Sequence, residues 1–314
     1  MLHELLTNPT VLKPQIDYLV FLQNIRTPEL DFVFLNITKL GESIIPYIFV
    51  SLCYWLLDKR TGFILFTAMQ LGMMTKDFLK EIAFVKRPWL LSDKISPVEA
   101  AKAHAPGYSF PSGHTVRGIT SIAGISIATW NKSKWISVFF ILLGFSVLFS
   151  RNYLGVHTPQ DVIVGTLFSV IYLFAATKFF NWIDKKDKGH LIFAGFVFVI
   201  SSIVIAIIAA GILKEELMSY YSELSLLFGI CIGYYIDKKY IKYEIPNIKW
   251  YNKIFIAMLG VACMYMLMHI IYFAVTGTAL EVYKRIIMYF SISIFSTIIY
   301  PLFIKFVSKK IIEM

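Results

Sequence analysis

Long apolar runs alternate with short polar segments along most of the chain. The runs lie near residues 43–57, 61–79, 115–130, 136–150, 162–180, 191–213, 217–236, 254–275 and 286–304. A helix needs about 20 residues to cross the hydrocarbon layer of a membrane, so the shorter runs must extend into their polar flanks. The pattern predicts an all-α fold, a polytopic transmembrane helical bundle with about nine spans.

The beginning of the chain has a different pattern, because charged and apolar positions alternate there. Lys13 and Asp17 lie among Leu12, Ile16 and Leu19, which is typical of helices that lie in the membrane interface. No basic stretch followed by a short apolar run and a cleavage site opens the sequence, so we expect no removable signal peptide. The predicted regions are an interfacial segment (1–42), a core (43–180) and a C-terminal transmembrane extension (181–314).

The composition agrees with a membrane protein. Of the 314 residues, 57% are hydrophobic and 16% are charged, and the mean hydropathy is +0.67. A soluble core of this length would use far fewer apolar residues. Cys53, Cys231 and Cys263 lie in or beside apolar runs and lack paired or metal-type spacing. They therefore predict neither a disulfide nor a zinc site.

The charge distribution predicts the topology. The net charge of +10 comes largely from lysines between the apolar runs, at 58–60, 132–134, 185–188, 237–253 and 305–310. Short cytoplasmic loops accumulate Lys and Arg, so these segments predict the cytoplasmic face, and the basic charge does not indicate nucleic-acid binding. The three motifs described next fall on the opposite face. We therefore expect a cell-membrane protein whose site opens on the extracytoplasmic side.

The first motif, Lys80-x6-Arg87-Pro88, follows the second apolar run. Pro88 disfavours helix at Arg87 and turns the chain at the membrane surface. An Arg holds two phosphate oxygens at once, and a Lys adds a compact point charge. Taken alone, these cations also fit side chains that extend from a helix end toward the interface.

The second motif, Pro111-Ser112-Gly113-His114, directly precedes an apolar run. Ser112 is a natural N-cap, and Gly113 allows an anion to approach the first backbone N–H groups, at the positive end of the helix dipole. His114 titrates near neutral pH and is suited to protonate a leaving oxygen. Taken alone, the tetrapeptide also fits an ordinary helix cap beside a surface histidine.

The third motif is Ser150-Arg151-x5-His157-x3-Asp161. Proline at the first helical position and an acid at the third predict a helix start, which explains Asp161 without catalysis. His157 and Asp161 are also close enough for the carboxylate to accept a proton from one imidazole nitrogen and leave the other as a nucleophile. Arg151 supplies a further clamp for oxygens, and Ser150 a further hydroxyl donor.

Together the motifs place three cations, two histidines and a carboxylate around one anion, and they resemble the signature motifs of the type 2 phosphatidic-acid phosphatase family. This family is related to glucose-6-phosphatase and the vanadium haloperoxidases, and the resemblance covers about residues 31–180, including Leu40-Gly41-Glu42. It implies that His157 is the nucleophile of a phosphohistidine intermediate, that Asp161 orients it and that His114 is the general acid. It also implies phosphate binding by Lys80, Arg87, Ser112, Gly113 and Arg151, without a metal or another cofactor.

The resulting hypothesis is an integral-membrane lipid phosphatase with a phosphatase core and a C-terminal helical extension that carries no assignable motif. Its expected partners are a lipid phosphate substrate and membrane lipids, and undecaprenyl diphosphate is the first choice of substrate. The alternatives are phosphatidylglycerophosphate or phosphatidic acid as substrate, a lipid phosphotransferase, and a lipid-phosphate binding or transport protein without catalysis. The preference for a polyprenyl carrier depends on the family and on the outward-facing site.

Overall fold

The computed structural model describes residues 2–42, 44–186, 188–209, 218–278, 280 and 283–313. These residues form helices joined by turns, and no strand occurs among them. Their internal contacts divide the chain into two compact units. Unit 1 comprises Met1–Phe49 and Leu71–Ala175, and unit 2 comprises Val50–Gln70 and Ala176–Met314.

The helices follow one another with short connections. In chain order they are α1 (Leu2–Thr7), α2 (Pro9–Asn24), α3 (Pro28–Lys39), α4 (Ile45–Leu52), α5 (Lys59–Ala83), α6 (Pro88–Leu91), α7 (Glu99–Lys102), α8 (Gly113–Arg117), α9 (Ser126–Thr129), α10 (Lys134–Tyr153), α11 (Pro159–Ile183), α12 (Gly189–Ala209), α13 (Met218–Ile236), α14 (Trp250–Val275), α15 (Lys284–Ile294) and α16 (Tyr300–Glu313).

The predicted all-α membrane architecture is confirmed, whereas the predicted count of about nine spans is not. Within the described part of the chain, four helical stretches are long and apolar enough to cross a membrane: Lys134–Tyr153, Pro159–Ile183, Trp250–Val275 and Lys284–Lys309. Two apolar helices, Ile45–Leu57 and Gly189–Val204, are shorter. Charged side chains in α5, and the division of the run after His114 into short segments, account for part of the difference.

The apolar run after His114 is helical but irregular. Helix α8 continues through a π-helical turn at Gly118–Ile122 and a 3-10 turn at Ala123–Ile125 before α9 begins. This segment packs closely on α10, because a Cβ atom added to Gly144 would lie 2.7 Å from the Cβ atom of Ala123. Glycine therefore permits a close approach of the two backbones. Hydrophobic periodicity predicts the buried face of such a segment, but not its irregular turns.

The N-terminal helices pack against the end of α10 within unit 1. Arg26, between α2 and α3, donates from Nε to the carbonyl oxygen of Tyr153 at 2.9 Å and from Nη1 to that of Ser96 at 2.5 Å. The Tyr153 hydroxyl donates to Asp31 of α3 at 3.0 Å. These contacts hold the N-terminal end of α3 beside the last turn of α10, in the part of α10 where the third motif begins.

Unit 2 contains a buried polar cluster of its own, centred on Asp237. The Tyr54 hydroxyl donates to Asp237 Oδ2 at 2.7 Å, and Lys59 Nζ lies 3.1 Å from the same oxygen. The backbone N–H of Tyr243 donates to Asp237 Oδ1 at 2.9 Å. Both oxygens of this fully buried carboxylate therefore have partners, one of them a cation.

Candidate active site

The three sequence motifs come together in unit 1. Their residues lie in α5 (Lys80), before α6 (Arg87), at the start of α8 (Ser112, Gly113, His114), in the last turn of α10 (Arg151) and at the start of α11 (His157, Asp161). Arg87 Nη1 lies 2.9 Å from His157 Nε2, which joins the first motif to the third. The backbone N–H of Ser112 donates to the carbonyl oxygen of Asp161 at 3.0 Å, which joins the second motif to the third.

The hydrogen bonds of His157 determine its tautomer. A guanidinium group donates hydrogen bonds but cannot accept them, so Nε2 of His157 must accept from Arg87. The hydrogen of the neutral ring is then on Nδ1, which lies 3.2 Å from Oδ2 of Asp161. Burial of the ring, together with the charges of Arg87 and Arg151, lowers the pKa of His157 well below its ordinary value. The ring is therefore neutral at neutral pH, with its lone pair on Nε2.

Asp161 is held in place by two further donors. Its Oδ2 accepts from the Ser109 hydroxyl at 2.5 Å and from the backbone N–H of Thr158 at 2.8 Å. The backbone N–H of Ser109 in turn donates to the carbonyl oxygen of Val85 at 2.7 Å. Asp161 therefore caps the start of α11 and also contacts His157, so the two sequence interpretations of this acid describe the same geometry.

Arg87 is buried and anchored by carbonyl oxygens from two loops. Its Nε donates to Gly107 at 3.1 Å, its Nη2 to Pro106 at 2.8 Å and its Nη1 to Val156 at 3.0 Å. Burial lowers the pKa of Arg87 to about 10, while the charge of Asp161 acts in the opposite direction. The guanidinium therefore remains charged at neutral pH and is fixed beside His157 Nε2.

Arg151 is a buried cation with unused donors. It is 1% exposed, and its Nη1 donates to the Thr38 hydroxyl at 2.5 Å. Its Nε and Nη2 atoms have no hydrogen-bond partner among the described residues. Within the same residues, no carboxylate oxygen lies within 4.0 Å of the cationic nitrogens of Lys80, Arg87 or Arg151. Burial of charge without a counter-charge is costly, so this cluster is suited to an anion.

Two lysines of α5 extend the positive charge. Lys80 is half-buried, and its ammonium interacts electrostatically with Arg87 and Asp161. Lys76 is 9% exposed, and its ammonium pairs with Asp77. A Cβ atom added to Gly113 would lie 3.3 Å from Cδ of Lys76, so the Lys76 chain packs beside the second motif.

The second motif begins a helix, as its sequence predicts. The Ser112 hydroxyl accepts from the backbone N–H of Thr115 at 3.4 Å, which confirms Ser112 as the N-cap. His114 Nε2 lies 3.3 Å from Oε1 of Glu42. Burial and the charge of Arg151 lower the pKa of His114 to about 3, and the hydrogen bond with Glu42 acts in the opposite direction.

The structure adds three residues to the site and removes one candidate donor. Thr38, Glu42 and Ser109 contact Arg151, His114 and Asp161, as described above. Sequence reasoning gave these three no role, although Glu42 lies in the Leu40-Gly41-Glu42 string of the resemblance and Ser109 directly precedes the second motif. The hydroxyl of Ser150, proposed above as a donor, instead donates to the carbonyl oxygen of Val147 at 2.6 Å within α10.

Two family profiles match this chain, one over the motifs and one over the C-terminal helices. The PAP2 superfamily profile matches residues 61–185, which contain all three motifs. A second profile, described as the transmembrane extension of PAP2 superfamily phosphatases, matches residues 221–310. The two matches together cover more than half of the chain.

Individual relatives match parts of the chain. A protein described as a probable sphingosine-1-phosphate phosphatase from Dictyostelium discoideum is 29% identical over 174 residues, which are 52% of this chain and 42% of that protein. An undecaprenyl-diphosphatase from Sulfolobus acidocaldarius is 30% identical over 115 residues, which are 36% of this chain and 53% of that protein. The chain therefore spans about half the length, or less, of these relatives.

Among solved structures, a transmembrane PAP2-type phosphatidylglycerolphosphate phosphatase from Bacillus subtilis aligns with a TM-score of 0.48 and 22% identity. The alignment covers 59% of this chain and 94% of that one. The family membership itself depends on the two profile matches, because they include both the motif-bearing residues and the C-terminal extension. The resemblance expected from the motifs is thereby confirmed, and the chain belongs to the PAP2 superfamily, with the transmembrane extension described for phosphatases of this superfamily.

Proposed function

We propose that the chain hydrolyses a lipid phosphate or diphosphate through a phosphohistidine intermediate on His157. The observation that carries this proposal is the cluster of Lys80, Arg87 and Arg151, which has no carboxylate partner among the described residues. Its charges act on His157, whose Nε2 lone pair accepts a hydrogen bond from Arg87 that a phosphate oxygen can replace. A phosphoryl group is the anion whose chemistry needs both features, because it requires fixed positive charge and a nucleophile in line with the leaving group.

In the first step, the Nε2 lone pair of His157 attacks phosphorus. The bond between phosphorus and the leaving oxygen breaks, its electron pair goes to that oxygen, and His114 donates the proton. Asp161 accepts the hydrogen bond from Nδ1 and stabilises the positive charge that develops on the ring of His157. The hydrogen bond that Arg87 makes to Nε2 is exchanged for one to a phosphate oxygen.

In the second step, a water oxygen attacks the phosphorus of the phosphohistidine. The phosphorus–nitrogen bond breaks, its electron pair returns to His157 Nε2, and His114 takes the proton of the water. Both histidines then return to their starting states. Arg151 contributes its two unused nitrogens to the phosphoryl oxygens throughout, and Ser112 and Gly113 contribute the start of the helical segment after them.

His114 must be protonated when the leaving group departs, although burial lowers its pKa to about 3 in the free protein. A bound phosphate dianion supplies negative charge that raises the pKa of a nearby imidazole. Substrate binding and protonation of His114 are therefore coupled. The acid is charged when the substrate occupies the site and neutral when it does not.

The protein's own cations support a reaction without a metal ion. Two arginines and a lysine supply the positive charge that Mg²⁺ supplies in many phosphoryl-transfer enzymes. Among the described residues, no group of three His, Cys, Asp or Glu side chains has the arrangement of a metal site.

A lipid substrate, presented on the extracytoplasmic side of the cell membrane, fits the location of the motifs. Each motif adjoins the end of an apolar run, so the reacting phosphate would lie at headgroup depth. The lysine-rich segments of the opposite face support a cytoplasmic location for that face. Undecaprenyl diphosphate is the first choice, supported by the family and by the relative that bears this activity in its name. Phosphatidylglycerophosphate and phosphatidic acid follow.

The test is phosphate release from a panel of lipids by the purified full chain in detergent micelles. The panel contains undecaprenyl diphosphate, phosphatidylglycerophosphate, phosphatidic acid and sphingosine-1-phosphate, and we expect the highest kcat/KM with the first. Quenching with alkaline SDS after mixing with ³²P-labelled substrate should trap a labelled protein, because the phosphorus–nitrogen bond of phosphohistidine is stable in alkali and labile in acid. Release from none of the lipids would overturn the proposal, and transfer of the label to a lipid acceptor would replace hydrolysis by phosphotransfer.

A further inference from the structure

His114 has a carboxylate partner from a part of the chain that precedes the matched PAP2 core. Glu42 follows α3, and its Oε1 lies 3.3 Å from His114 Nε2. The Glu42 side chain is 21% exposed and that of His114 is 14% exposed, so the contact is largely shielded from water. The hydrogen bond to His114 lowers the pKa of Glu42, which keeps this residue a carboxylate.

The backbone around Glu42 is built for this contact. The N–H of Glu42 donates to the carbonyl oxygen of Lys39 at 2.9 Å, and the carbonyl oxygen of Glu42 accepts from the N–H of Ile45 at 3.2 Å. A Cβ atom added to Gly41 would lie 3.1 Å from the carbonyl oxygen of His114. This is tighter than ordinary contact, so a glycine at this position allows the turn to lie directly against the histidine.

The opposite side of Glu42 is open to solvent. Glu42 lines a cavity of about 220 Å³ together with Thr38 and His104. His104 Nδ1 lies 3.9 Å from Glu42 Oε2, and the His104 side chain is 65% exposed. The carboxylate therefore connects a shielded histidine with a water-accessible space.

The site thus contains two carboxylate–histidine pairs with similar contact distances, made through different ring nitrogens. In one pair Asp161 contacts Nδ1 of His157 at 3.2 Å, and in the other Glu42 contacts Nε2 of His114 at 3.3 Å. We propose that Glu42 is a positioning residue for His114, whose carboxylate fixes the ring by Nε2, stabilises the imidazolium and leaves Nδ1 to transfer the proton. This inference rests on the proposed function, because it assigns a role within that reaction.

The protonation of His114 reflects several charges. The groups whose charges act on the His114 and Glu42 pair are Arg151, Arg117, His157 and His104. Arg151 and Arg117 disfavour the imidazolium, whereas Glu42 favours it. Glu42 is therefore the group whose removal should most weaken the acid without affecting the nucleophile.

The experiment compares two phosphate esters that differ in their leaving groups. The leaving group of an alkyl phosphate is an alkoxide, which needs a proton, whereas that of a nitrophenyl phosphate is nitrophenolate, which is stable as an anion. We expect Glu42→Gln to lower kcat about 100-fold on a short-chain alkyl phosphate and less than about threefold on the nitrophenyl ester, because general acid catalysis contributes factors of this size. His114→Asn should show the same selective loss, and the double variant should lose no more than His114→Asn alone.

The pH profile gives a second readout. Removal of the negative charge lowers the pKa of His114 in the complex, so the alkaline limb of the kcat profile should move to lower pH by at least about one unit. Glu42→Asp should restore much of the alkyl phosphatase activity. Glu99→Gln, which removes an exposed carboxylate of α7, is the matched control and should change neither the selectivity nor the profile.

The outcomes separate the two proposals. If the wild-type chain hydrolyses neither ester nor any lipid phosphate, the proposed function fails. If the wild type is active but Glu42→Gln lowers both activities equally, or leaves both unchanged, only the role of Glu42 fails. Selective loss on the alkyl ester with an unchanged Tm supports the pair.

Discussion

Each unit of the molecule contains a buried aspartate, Asp237 in unit 2 and Asp161 in unit 1. The two clusters around them differ in how far their charged groups are paired. In unit 2, both oxygens of Asp237 have partners, and one of these partners is Lys59. In unit 1, Oδ1 of Asp161 lacks a partner among the described residues, as do Nε and Nη2 of Arg151. The charged groups of the first cluster are therefore paired with one another, whereas the second cluster retains both an acceptor and donors without hydrogen-bond partners among the described residues.

On the proposed function, this difference distinguishes a polar cluster that stabilises the fold from one that binds a ligand. Satisfied buried charges have little left to offer a substrate, and removal of one partner leaves the other uncompensated. Unsatisfied buried charges destabilise the empty protein and stabilise a bound anion. Substitutions in unit 2 should therefore change stability, and substitutions in unit 1 should change chemistry.

The largest effect is expected from substitution of His157, compared with the histidine of a similar histidine–aspartate pair in unit 2. His157→Asn removes the nucleophile and should lower turnover at least about 10⁴-fold with an unchanged Tm. The matched variant in unit 2 is His190→Asn, whose histidine lies 2.8 Å from Asp184, and it should retain near-normal turnover. Phosphate release and thermal unfolding are measured for both. Substantial turnover by the first variant would remove His157 as the nucleophile.

The next effect concerns two cations, Arg151 in unit 1 and Lys59 in unit 2, whose removal should affect activity in one case and stability in the other. Arg151→Met should lower kcat/KM about 10²- to 10³-fold, because it removes charge stabilisation of the phosphoryl oxygens, and should leave Tm unchanged or higher. Lys59→Met leaves Asp237 uncompensated and should lower the free energy of unfolding by about 1–3 kcal/mol without changing kcat/KM of the folded protein. A fall in Tm for Arg151→Met that matches the fall for Lys59→Met would contradict the comparison.

A smaller effect concerns the stability of the ligand-free protein in acid. Burial lowers the pKa of both His157 and His114, the latter to about 3, whereas an unfolded histidine titrates near 6.5. Below pH 6.5 the unfolded chain therefore binds more protons, and stability falls by up to about 1.4 kcal/mol per pH unit for each histidine. We expect Tm to fall from pH 6.5 toward pH 4.5.

Substitution of single histidines distinguishes the contribution of the buried histidines to acid sensitivity from that of other titrating groups. His157→Asn should reduce the acid-dependent slope of Tm, and His104→Gln, which removes an exposed histidine, should leave it unchanged. If the slope of Tm against pH is equal in the wild type, His157→Asn and His104→Gln, the buried histidines are not the cause of the acid sensitivity.

The smallest effect is expected from metal removal. Because side chains supply the positive charge, excess EDTA should leave kcat/KM within about twofold of its value without chelator. Vanadate, which resembles the five-coordinate phosphoryl group, should inhibit wild-type protein and bind much more weakly to Arg151→Met. Loss of activity in EDTA that Mg²⁺ restores would show that the cation cluster is incomplete.

Contacts between near neighbours could be predicted from the sequence. The N-cap at Ser112, the start of α11 after Thr158 and the approach of His157 to Asp161 all join residues at most four positions apart. Local turn and helix geometry determines such contacts, so residue type and spacing are enough to predict them.

Long-range contacts could not be predicted in the same way. Thr38 lies 113 positions from Arg151, and Glu42 lies 72 positions from His114. The contacts depend on how the end of α3 and the turn after it pack against α10 and the start of α8, which hydrophobic periodicity does not specify. The predicted number of spans was not confirmed for a related reason. An apolar run indicates which face of a segment is buried but not whether the segment forms one straight helix.

The hydrogen bond from Arg87 to His157 also bears on how the resting protein avoids unwanted reactions. Each of the three guanidinium nitrogens of Arg87 donates to a carbonyl oxygen, so the group is held beside the Nε2 lone pair in the absence of substrate. Small electrophiles that carry no negative charge offer Arg87 nothing in exchange for this bond. An anionic phosphoryl group does, and it uncovers the nitrogen as it enters. Under the proposed function, this nitrogen is therefore protected against adventitious alkylation or acylation in the resting protein and becomes available when an anionic phosphate ester binds.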